Sequence, residues 1–307
     1  MLDERQIEAL QAVVTEGSFL GAARQLHLTP AAVTQRVKAL EAAIGALVLV
    51  RGRHLRLTPQ GQALLAYRQK ADWLREDLLR SLDLDVQTYR GNKRWRHLRV
   101  AVNADSVATW FLPGVAQMLA RHHLLLDVLI DDQDFTHEAL RSGEVIGCVT
   151  THRKALSGCV CEPLGVMRYR CMAHKDLLAK IQASSGKPTA HRLLQQPAVI
   201  FNRKDALQEL FLEKYFGLRA VPYPKHFVPA LDAFEQAIRL GLGWGMMPDI
   251  PQGRLADMTE LEDVLPDAHI DVALYWQHWE RQPPQAAALS QAVKTAAQLA
   301  LRQTVVS

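Results

Sequence analysis

The sequence predicts an α+β multidomain fold: an N-terminal winged helix-turn-helix, a long linker helix, and a C-terminal two-lobed α/β domain. Three observations carry this expectation. Positive charge is concentrated near the N-terminus, an apolar seam at steps of three and four follows it, and from about residue 97 strand-like and helix-like runs alternate. The boundaries this implies are 1–58, 59–92 and 93–307. The last domain divides into lobe I (about 93–164 and 266–307) and lobe II (about 165–265). A length of 307 residues suits more than one domain.

The first element is a helix through Ile7, Leu10 and Val14, stopped by Gly17. Ser18 caps a second short helix running through Leu20, Ala22 and Ala23 to about Leu26. Thr29 caps a third, with Pro30 at the first helical position, where its missing N–H costs least. Val33, Val37, Leu40 and Ile44 form that helix's apolar stripe, so Ala31, Thr34, Gln35 and Lys38 face the other way with Arg36 on the flank. Three short helices with a tight turn before the last describe a helix-turn-helix. The segment from Leu47 to Leu57 alternates loosely and carries Arg51, Arg53, His54 and Arg56, which reads as a β-hairpin wing.

The outward face suits duplex DNA. Gln35 can pair with adenine, Thr34 can reach base edges or a thymine methyl, Ala31 permits close approach, and Lys38 can neutralise a phosphate. From Gly17 to Lys70 there are eight basic residues and a single acid, Glu41. Residues 1–96 carry a net +5 and residues 97–307 a net −1, within a total of +4. The plain alternative is a solvated basic face on a small helical domain; the combined pattern and charge ratio favour DNA.

Thr58-Pro59 opens the linker helix. Leu64, Tyr67, Ala71, Leu74 and Leu78 form a coiled-coil seam, and Leu82 and Tyr89 continue its apolar edge. About 30 residues would reach about 45 Å. No compact partner is evident in its own small domain, so a homodimer through this helix is expected, presenting two DNA-reading helices. The competing arrangement folds it back on the C-terminal domain.

Beyond the charged stretch Arg90 to Arg96, strands are expected at His97–Val102, Leu124–Ile130 and Glu144–Thr150, with helices at Ser106–Arg121 and around Phe135–Ser142. A second set comprises strands Arg168–Ala173, Ala198–Phe201, His226–Val228 and Trp244–Met247, with helices Asp205–Tyr215 and Asp232–Leu240. Strand Val272–Trp276 and helix Ala286–Arg302 return to the first lobe. Gly241-Leu242-Gly243-Trp244-Gly245 follows a helical pattern and reads as a helix-to-strand turn rather than a dinucleotide loop.

Ligands of such sheets bind at the carboxyl ends of the strands. Strand one ends at Asn103-Ala104-Asp105-Ser106, at a helix start able to receive a carboxylate. Strand two ends at Asp131-Asp132-Gln133-Asp134, and strand three at Thr150-Thr151. A ligand with its carboxylate near Ser106 and a cation near Asp131 or Asp132 would be a basic amino acid. Asn202 and the helix start near Asp232 would close the cleft from the second lobe. The alternative is that these acids only cap helices or sit in solvent.

Other classes fit less well. HExxH, GxxxxGK[ST] and GxSxG motifs are absent, so no catalytic residue, metal or cofactor is expected. Cys148, Cys159, Cys161 and Cys171 form no CxxC pair and read as reduced core thiols. Met1-Leu2-Asp3-Glu4-Arg5 has acids where a secretory signal would be basic, and the longest aliphatic run, Ile44 to Val50, is far shorter than a membrane span of about 20 residues. A soluble cytoplasmic protein without a membrane partner is expected. This also argues against a transport binding protein, the closest rival from another class.

Taken together, Gly17-Ser18-Phe19, Ala22-Ala23, Thr29 through Val37, Leu40-Glu41, Gly45, Arg51 and Leu57-Thr58-Pro59-Gln60-Gly61 resemble the LysR-type transcriptional regulators. Within that family, Leu47-Val48-Leu49-Val50-Arg51, Asn103 to Ser106, Ala108 to Pro113, Gly143-Glu144-Val145 and Tyr275-Trp276 are similar to the ArgP and LysG branch, regulators of lysine and arginine export. The resemblance implies a winged helix-turn-helix, a dimerising linker helix and an effector domain of the type 2 periplasmic-binding-protein kind. It further implies a homotetramer built from dimers, double-stranded promoter DNA and RNA polymerase as partners, and lysine or arginine as effector at an amino-acid exporter gene. A different effector is the main alternative. Pro229-Ala230 stands where that branch tends to offer hydroxyl groups, which bears on effector choice.

Overall fold

The computed structural model describes residues 3–50, 55–81, 95–130, 139–141, 143–182, 188–249 and 260–303. The N-terminal unit has α1 (Glu4–Thr15), α2 (Phe19–Gln25), α3 (Pro30–Ile44), β1 (Leu49–Val50), β2 (Arg56–Leu57) and α4 (Pro59–Ser81). Asp3, Ser18 and Thr29 cap α1, α2 and α3 through their side-chain oxygens, each accepting a backbone N–H that the first helical turn leaves free. Gly45 ends α3 at φ +69°, a left-handed conformation that suits glycine. Ile7, Leu10, Val33, Val37 and Leu40 are buried in one small core that also takes Val48 and Leu49 from the wing.

Several details differ from the sequence reading. Val13, not Val14, faces the core of α1; Val14 is 37% exposed, and Leu20 of α2 is 54% exposed. The hairpin expected between Leu47 and Leu57 forms, with Leu49 paired to Leu57 and Val50 to Arg56 among the described residues. The start of α4 is not partnerless. Leu64 is buried in the helix-turn-helix core, and Arg68 and Arg75 bond the backbone oxygen and carboxylate of Glu4. Leu82 and Tyr89 lie outside the described residues, as does the side chain of Leu74.

The C-terminal region is organised by two long strands. β6 (Cys159–His174) and β11 (His269–Trp279) run antiparallel along their length in a sheet of order β10-β6-β11-β5-β3-β4, with β9 also pairing β6. β3 (Arg96–Ala101), β4 (Leu124–Leu129) and β5 (Gly147–Thr150) make the parallel end of that sheet. β9 (Gly245–Pro248) and β10 (Leu261–Asp263) flank the far half of β6. β7 (Ala198–Ile200) pairs in parallel with β8 (Lys225–Phe227) and reaches the β9 side through a bridge from Ala198 to Trp244. The strands predicted at Arg168–Ala173 and Val272–Trp276 are therefore only portions of longer ones.

The pairing of β6 with β11 slips between Leu274 and Tyr275: Leu274 faces Gly165 and Tyr275 faces Pro163, leaving Leu164 as the extra residue. Thr150 pairs with Tyr275, so the end of β5 lies at this bulge. A turn of α5 (Ala104–Ser106), a π-helical stretch (Val107–Phe111) and α6 (Leu112–Arg121) form one continuous helical segment after β3, which carries the predicted helix through Pro113. The other helices are α7 (Lys175–Ile181), α8 (Ala190–Gln195), α9 (Leu207–Phe216), α10 (Leu231–Arg239) and α11 (Pro284–Ala300); α7, α8 and strand β10 were not anticipated from sequence. α11 closes the core over Trp276, whose indole N–H donates to Ser290 Oγ at 2.9 Å. Gly147 is needed beneath that ring, because a Cβ there would lie 2.3 Å from it. Of the predicted helix Phe135–Ser142, only 139–141 is described. Gly241, at φ +72°, makes the expected turn from α10 towards β9.

Candidate functional site

Two sites of opposite character emerge. On α3, Val33, Val37 and Leu40 face inward, while Ala31, Gln35 and Lys38 are exposed together with Thr29 and Pro30 at the helix start. Thr34 and Arg36 are half-buried on the flanks. The Thr34 hydroxyl donates to Pro30 O at 2.8 Å, which commits its proton and leaves oxygen lone pairs and the methyl for a partner. Glu41, the lone acid of the basic segment, turns away: its Oε1 accepts the Val48 N–H at 3.1 Å and ties α3 to the wing. The Thr58 hydroxyl donates to Leu47 O at 2.6 Å and locks the other side of the wing. Arg56 is exposed on β2; Arg51, Arg53 and His54 lie outside the described residues.

The second site lies where β3 ends. Asp105 Oδ2 accepts the Tyr169 hydroxyl at 2.6 Å, which brings the start of the helical segment onto β6 just beyond the bulge. Tyr169 is 5% exposed. Burial pushes the Asp105 carboxyl above the usual carboxylate range, the Tyr169 hydrogen bond opposes that, and the charge of Asp205 adds to it. Asp205, in the loop after β7, is itself pushed up by burial, although it accepts the backbone N–H groups of Leu207 and Phe201. Burial and the neighbouring Asp105 also push the Tyr169 hydroxyl far up. Near these groups, the buried Asn103 Oδ1 and Ser106 Oγ have no hydrogen-bond partner among the described residues, and neither has Trp110 Nε1 on the adjoining π-helical stretch. Buried polar atoms without partners are costly in a packed interior and uncommon outside binding sites.

The remaining predicted effector residues are spread more widely. Thr150 is buried, and its hydroxyl oxygen accepts the His152 N–H at 3.2 Å; Thr151 follows it, half-buried. Asn202 Oδ1 accepts the N–H groups of Lys204 at 2.8 Å and Asp205 at 3.1 Å, shaping the loop that positions Asp205. That loop also lines a cavity of about 500 Å³ with Glu209, Tyr223 and Lys225. Asp232 is exposed in the first turn of α10, whose preceding residue Ala230 offers no side-chain cap. Asp131 and Asp132 lie outside the described residues. Tyr169 and Asp205 were missed. The strand-end rule that selected Asp105 selects Asp205 when applied to β7, whereas nothing local marks Tyr169.

Among the described residues, no cluster of His, Cys, Asp and Glu could hold a metal ion, and no helix is long and apolar enough to cross a membrane. Cys148 and Cys171 are buried as expected, but Cys159 and Cys161 are half-exposed; none of the four is in a disulfide.

An exposed helix face in a basic helix-turn-helix unit, and a separate set of acidic and unpartnered polar groups at a strand end, suit a DNA-binding protein with a ligand-binding domain. Residues 4–62 match the bacterial regulatory helix-turn-helix protein, lysR family, and residues 92–298 match the LysR substrate binding domain. The HTH-type transcriptional regulator LysG of Mycobacterium tuberculosis (strain ATCC 25618 / H37Rv) is 40% identical over 297 residues, covering 96% of this chain and 94% of that protein. The regulator ArgP of Aeromonas salmonicida is 34% identical over 278 residues, covering 91% of each. The crystal structure of ArgP from Mycobacterium tuberculosis matches with a TM-score of 0.81 at 38% identity, over 99% of this chain and 100% of that one. Full-length LysG from Corynebacterium glutamicum with bound effector Arg matches with a TM-score of 0.72 at 30% identity, over 98% of this chain and 100% of that one. The chain belongs to the LysR family of transcriptional regulators. It is a DNA-binding regulator and not an enzyme.

Proposed function

We propose that this regulator answers to a basic amino acid, arginine or lysine, and controls an amino-acid exporter gene. The observation that carries the reading is Asp105, held by the Tyr169 hydroxyl at 2.6 Å beside the buried, unpartnered Ser106 Oγ, with the charge of Asp205 acting on it and no basic side chain among the described groups that shift it. Such a site favours a cation that can replace the missing water. The arginine bound as effector to the LysG relative supports the same chemistry. Asn103, Ser106, Thr150, Thr151, Asn202 and Asp232 would surround the ligand, with Asp131 and Asp132 at its edge.

In this reading residues 1–58 bind promoter DNA, with Thr29 to Lys38 in the groove and the wing, including Arg51, Arg53, His54 and Arg56, on the backbone. Residues 59–92 pair two protomers. Tyr67 and Leu78, each 57% exposed, support that pairing. They stand eleven residues apart and return to within about 20° on a helix turning about 100° per residue. A tetramer of such dimers would sense the effector through a shift in the spacing of its DNA-reading heads and act on RNA polymerase. Isothermal titration of the full chain with arginine, lysine, leucine and glutamate tests the effector. Binding of arginine or lysine alone is expected; equal binding of leucine, or none by the basic pair, overturns it.

A further inference from the structure

β6 runs from the β3–β5 end of the sheet to the β9–β10 end, and it has a bending point. The bulge at Leu164 is followed by Gly165 at φ +132°, a backbone conformation that favours glycine. A bulge interrupts the ladder and lets the strand bend. On the edge of β6 opposite β11, two separate pieces of chain meet beside this point. The segment after α11 covers Val166, whose N–H donates to Arg302 O at 2.8 Å, while Arg302 N–H donates to Val166 O at 3.1 Å. From Arg168 onwards the same edge is taken by β9 and its end, with the Asp249 N–H donating to Arg168 O at 2.7 Å. Side chains close the seam between the two pieces. Arg302 Nη2 lies 2.9 Å from Asp249 Oδ2 and Arg170 Nη1 lies 3.9 Å from Oδ1, so one carboxylate sits between two guanidinium groups. Gln303 Nε2 donates to Leu164 O at 3.3 Å and to Leu301 O at 3.2 Å, which serves the carbonyl of the extra residue in the bulge. A Cβ at Gly165 would lie 2.9 Å from Arg302 O, so the glycine also makes room for this segment.

We propose that residues 301–303 form a strap across the bending point of β6, and that the Arg302–Asp249 pair is its catch. The two ends of the strap belong to different halves of the domain. α11 is packed over Trp276 and against Gly114 of α6, on the β3–β5 side. Asp249 follows β9, which shares a core with β7 and α10. Bending β6 at Gly165 therefore moves Asp249 relative to Arg302 and parts or closes the pair. A contact made in one arrangement and not in another biases the balance between them by no more than its own worth. Arg302 is half exposed and Asp249 is 26% exposed, and a pair of that kind is worth a factor of up to about fivefold. The catch thus tunes the balance without locking it. Arg302 and Gln303 are positioning residues: they lie on the outer edge of β6 and act through the strand, setting how readily the two halves shift when the domain is liganded.

Hydrogen exchange of the full-length protein, read by mass spectrometry, tests the strap without any ligand. Arg302→Ala should speed exchange of the β6 amides at 164–168 by about two- to fivefold, while peptides of β3, β4 and α3 keep the parent rate. Adding Gln303→Ala should speed it further. Asp249→Asn should match Arg302→Ala, and the two together should add little, because they break one contact. Arg302→Lys should restore part of the protection. Thermal unfolding confirms that each variant folds; if Arg302→Ala does not, Asp249→Asn with and without Gln303→Ala carries the test. Faster exchange confined to residues 301–303 overturns the strap, as do additive effects of Arg302→Ala and Asp249→Asn. Its part in control is read from promoter affinity with and without arginine or lysine. The ratio of the two affinities should change by about two- to fivefold in Arg302→Ala, and a ratio equal to that of the parent overturns that part. A parent protein whose promoter affinity ignores both amino acids overturns the effector reading alone, and the exchange rates then decide the strap.

Discussion

The DNA-facing unit and the effector domain place their polar groups in opposite ways. On α3 the groups offered to a partner are exposed, contiguous in sequence and surrounded by positive charge, while the single acid, Glu41, is turned inward to hold the wing. At the end of β3 the groups on offer are buried (Ser106, Tyr169) or half-buried (Asn103, Asp105), come from β6 and the helix start after β3, and include acids but no described basic group that shifts Asp105. The difference follows from the partners. A duplex is large and keeps most of its hydration, so surface charge and a docked helix face suffice. A small molecule has few atoms, and each must be met by a desolvated group to earn affinity.

The strongest way to break the comparison is to unfold one unit and spare the other. Leu40→Ala removes a fully buried side chain from the small core shared by α1, α3 and the wing. A loss of about 2–5 kcal/mol is expected, enough to consume much of a small unit's stability. Gel-shift binding should vanish, while calorimetric binding of arginine stays within about twofold. Loss of both would mean that the two units do not fold independently.

A smaller effect separates base reading from general affinity. Gln35→Ala leaves the exposed face of α3 intact but removes its amide, the group suited to adenine. Binding to the preferred promoter should weaken by about 1–3 kcal/mol, with affinity for random duplex unchanged. Equal losses on both duplexes would move Gln35 from base reading to backbone contact.

The effector domain has a matching handle in pH. Burial, with help from Asp205, raises the Asp105 carboxyl above its ordinary value, and the Tyr169 hydrogen bond opposes that rise. The folded, unliganded protein therefore holds this proton to higher pH than the unfolded chain does. Its contribution to stability is present at low pH and fades as pH rises through the raised value. A cationic effector reverses the preference by favouring the carboxylate. Affinity should climb with pH through that same range, by up to about tenfold per unit, with a proton released on binding. Calorimetry in two buffers of different ionisation enthalpy detects that proton. Asp105→Asn should abolish the release. A parent protein with pH-independent affinity across the acid range contradicts the assignment of Asp105.

Why one site was legible in the sequence and the other only in part follows from the same contrast. The residues of α3 identify themselves locally: the cap at Thr29, Pro30 after it and the stripe Val33, Val37, Leu40 fix which side chains point out, and the structure keeps that order. Asp105, Asn103 and Ser106 were legible because a strand-to-helix junction is also a local pattern. Tyr169 was not. Its role depends on β6 continuing past the bulge at Leu164 until position 169 faces Asp105, a register set by pairing with β11 a hundred residues downstream. The same long pairing hid the true lengths of β6 and β11 behind shorter apolar runs. Exposure was misjudged at Val14 and Leu20 for a related reason: helical spacing gives a stripe, but its rotation is settled by neighbouring helices. Leu64 had the right periodicity for a dimer seam and was captured by its own domain's core instead.

The smallest expected effect sharpens the comparison most directly, because it swaps one lysine in each unit. Lys38 is exposed on the outward side of α3, and Lys180 is exposed on α7 of the C-terminal domain. Both removals lower the total charge equally, so general attraction to a polyanion changes alike. Only a lysine seated against a phosphate releases a condensed counterion when the complex forms. Lys38→Ala should therefore flatten the slope of log affinity against log salt by about one, whatever the duplex sequence, and Lys180→Ala should leave the slope unchanged. Fluorescence anisotropy over a salt series measures both. Equal flattening by the two would mean that the charge asymmetry of the chain acts as a diffuse field and not through contacts made by α3.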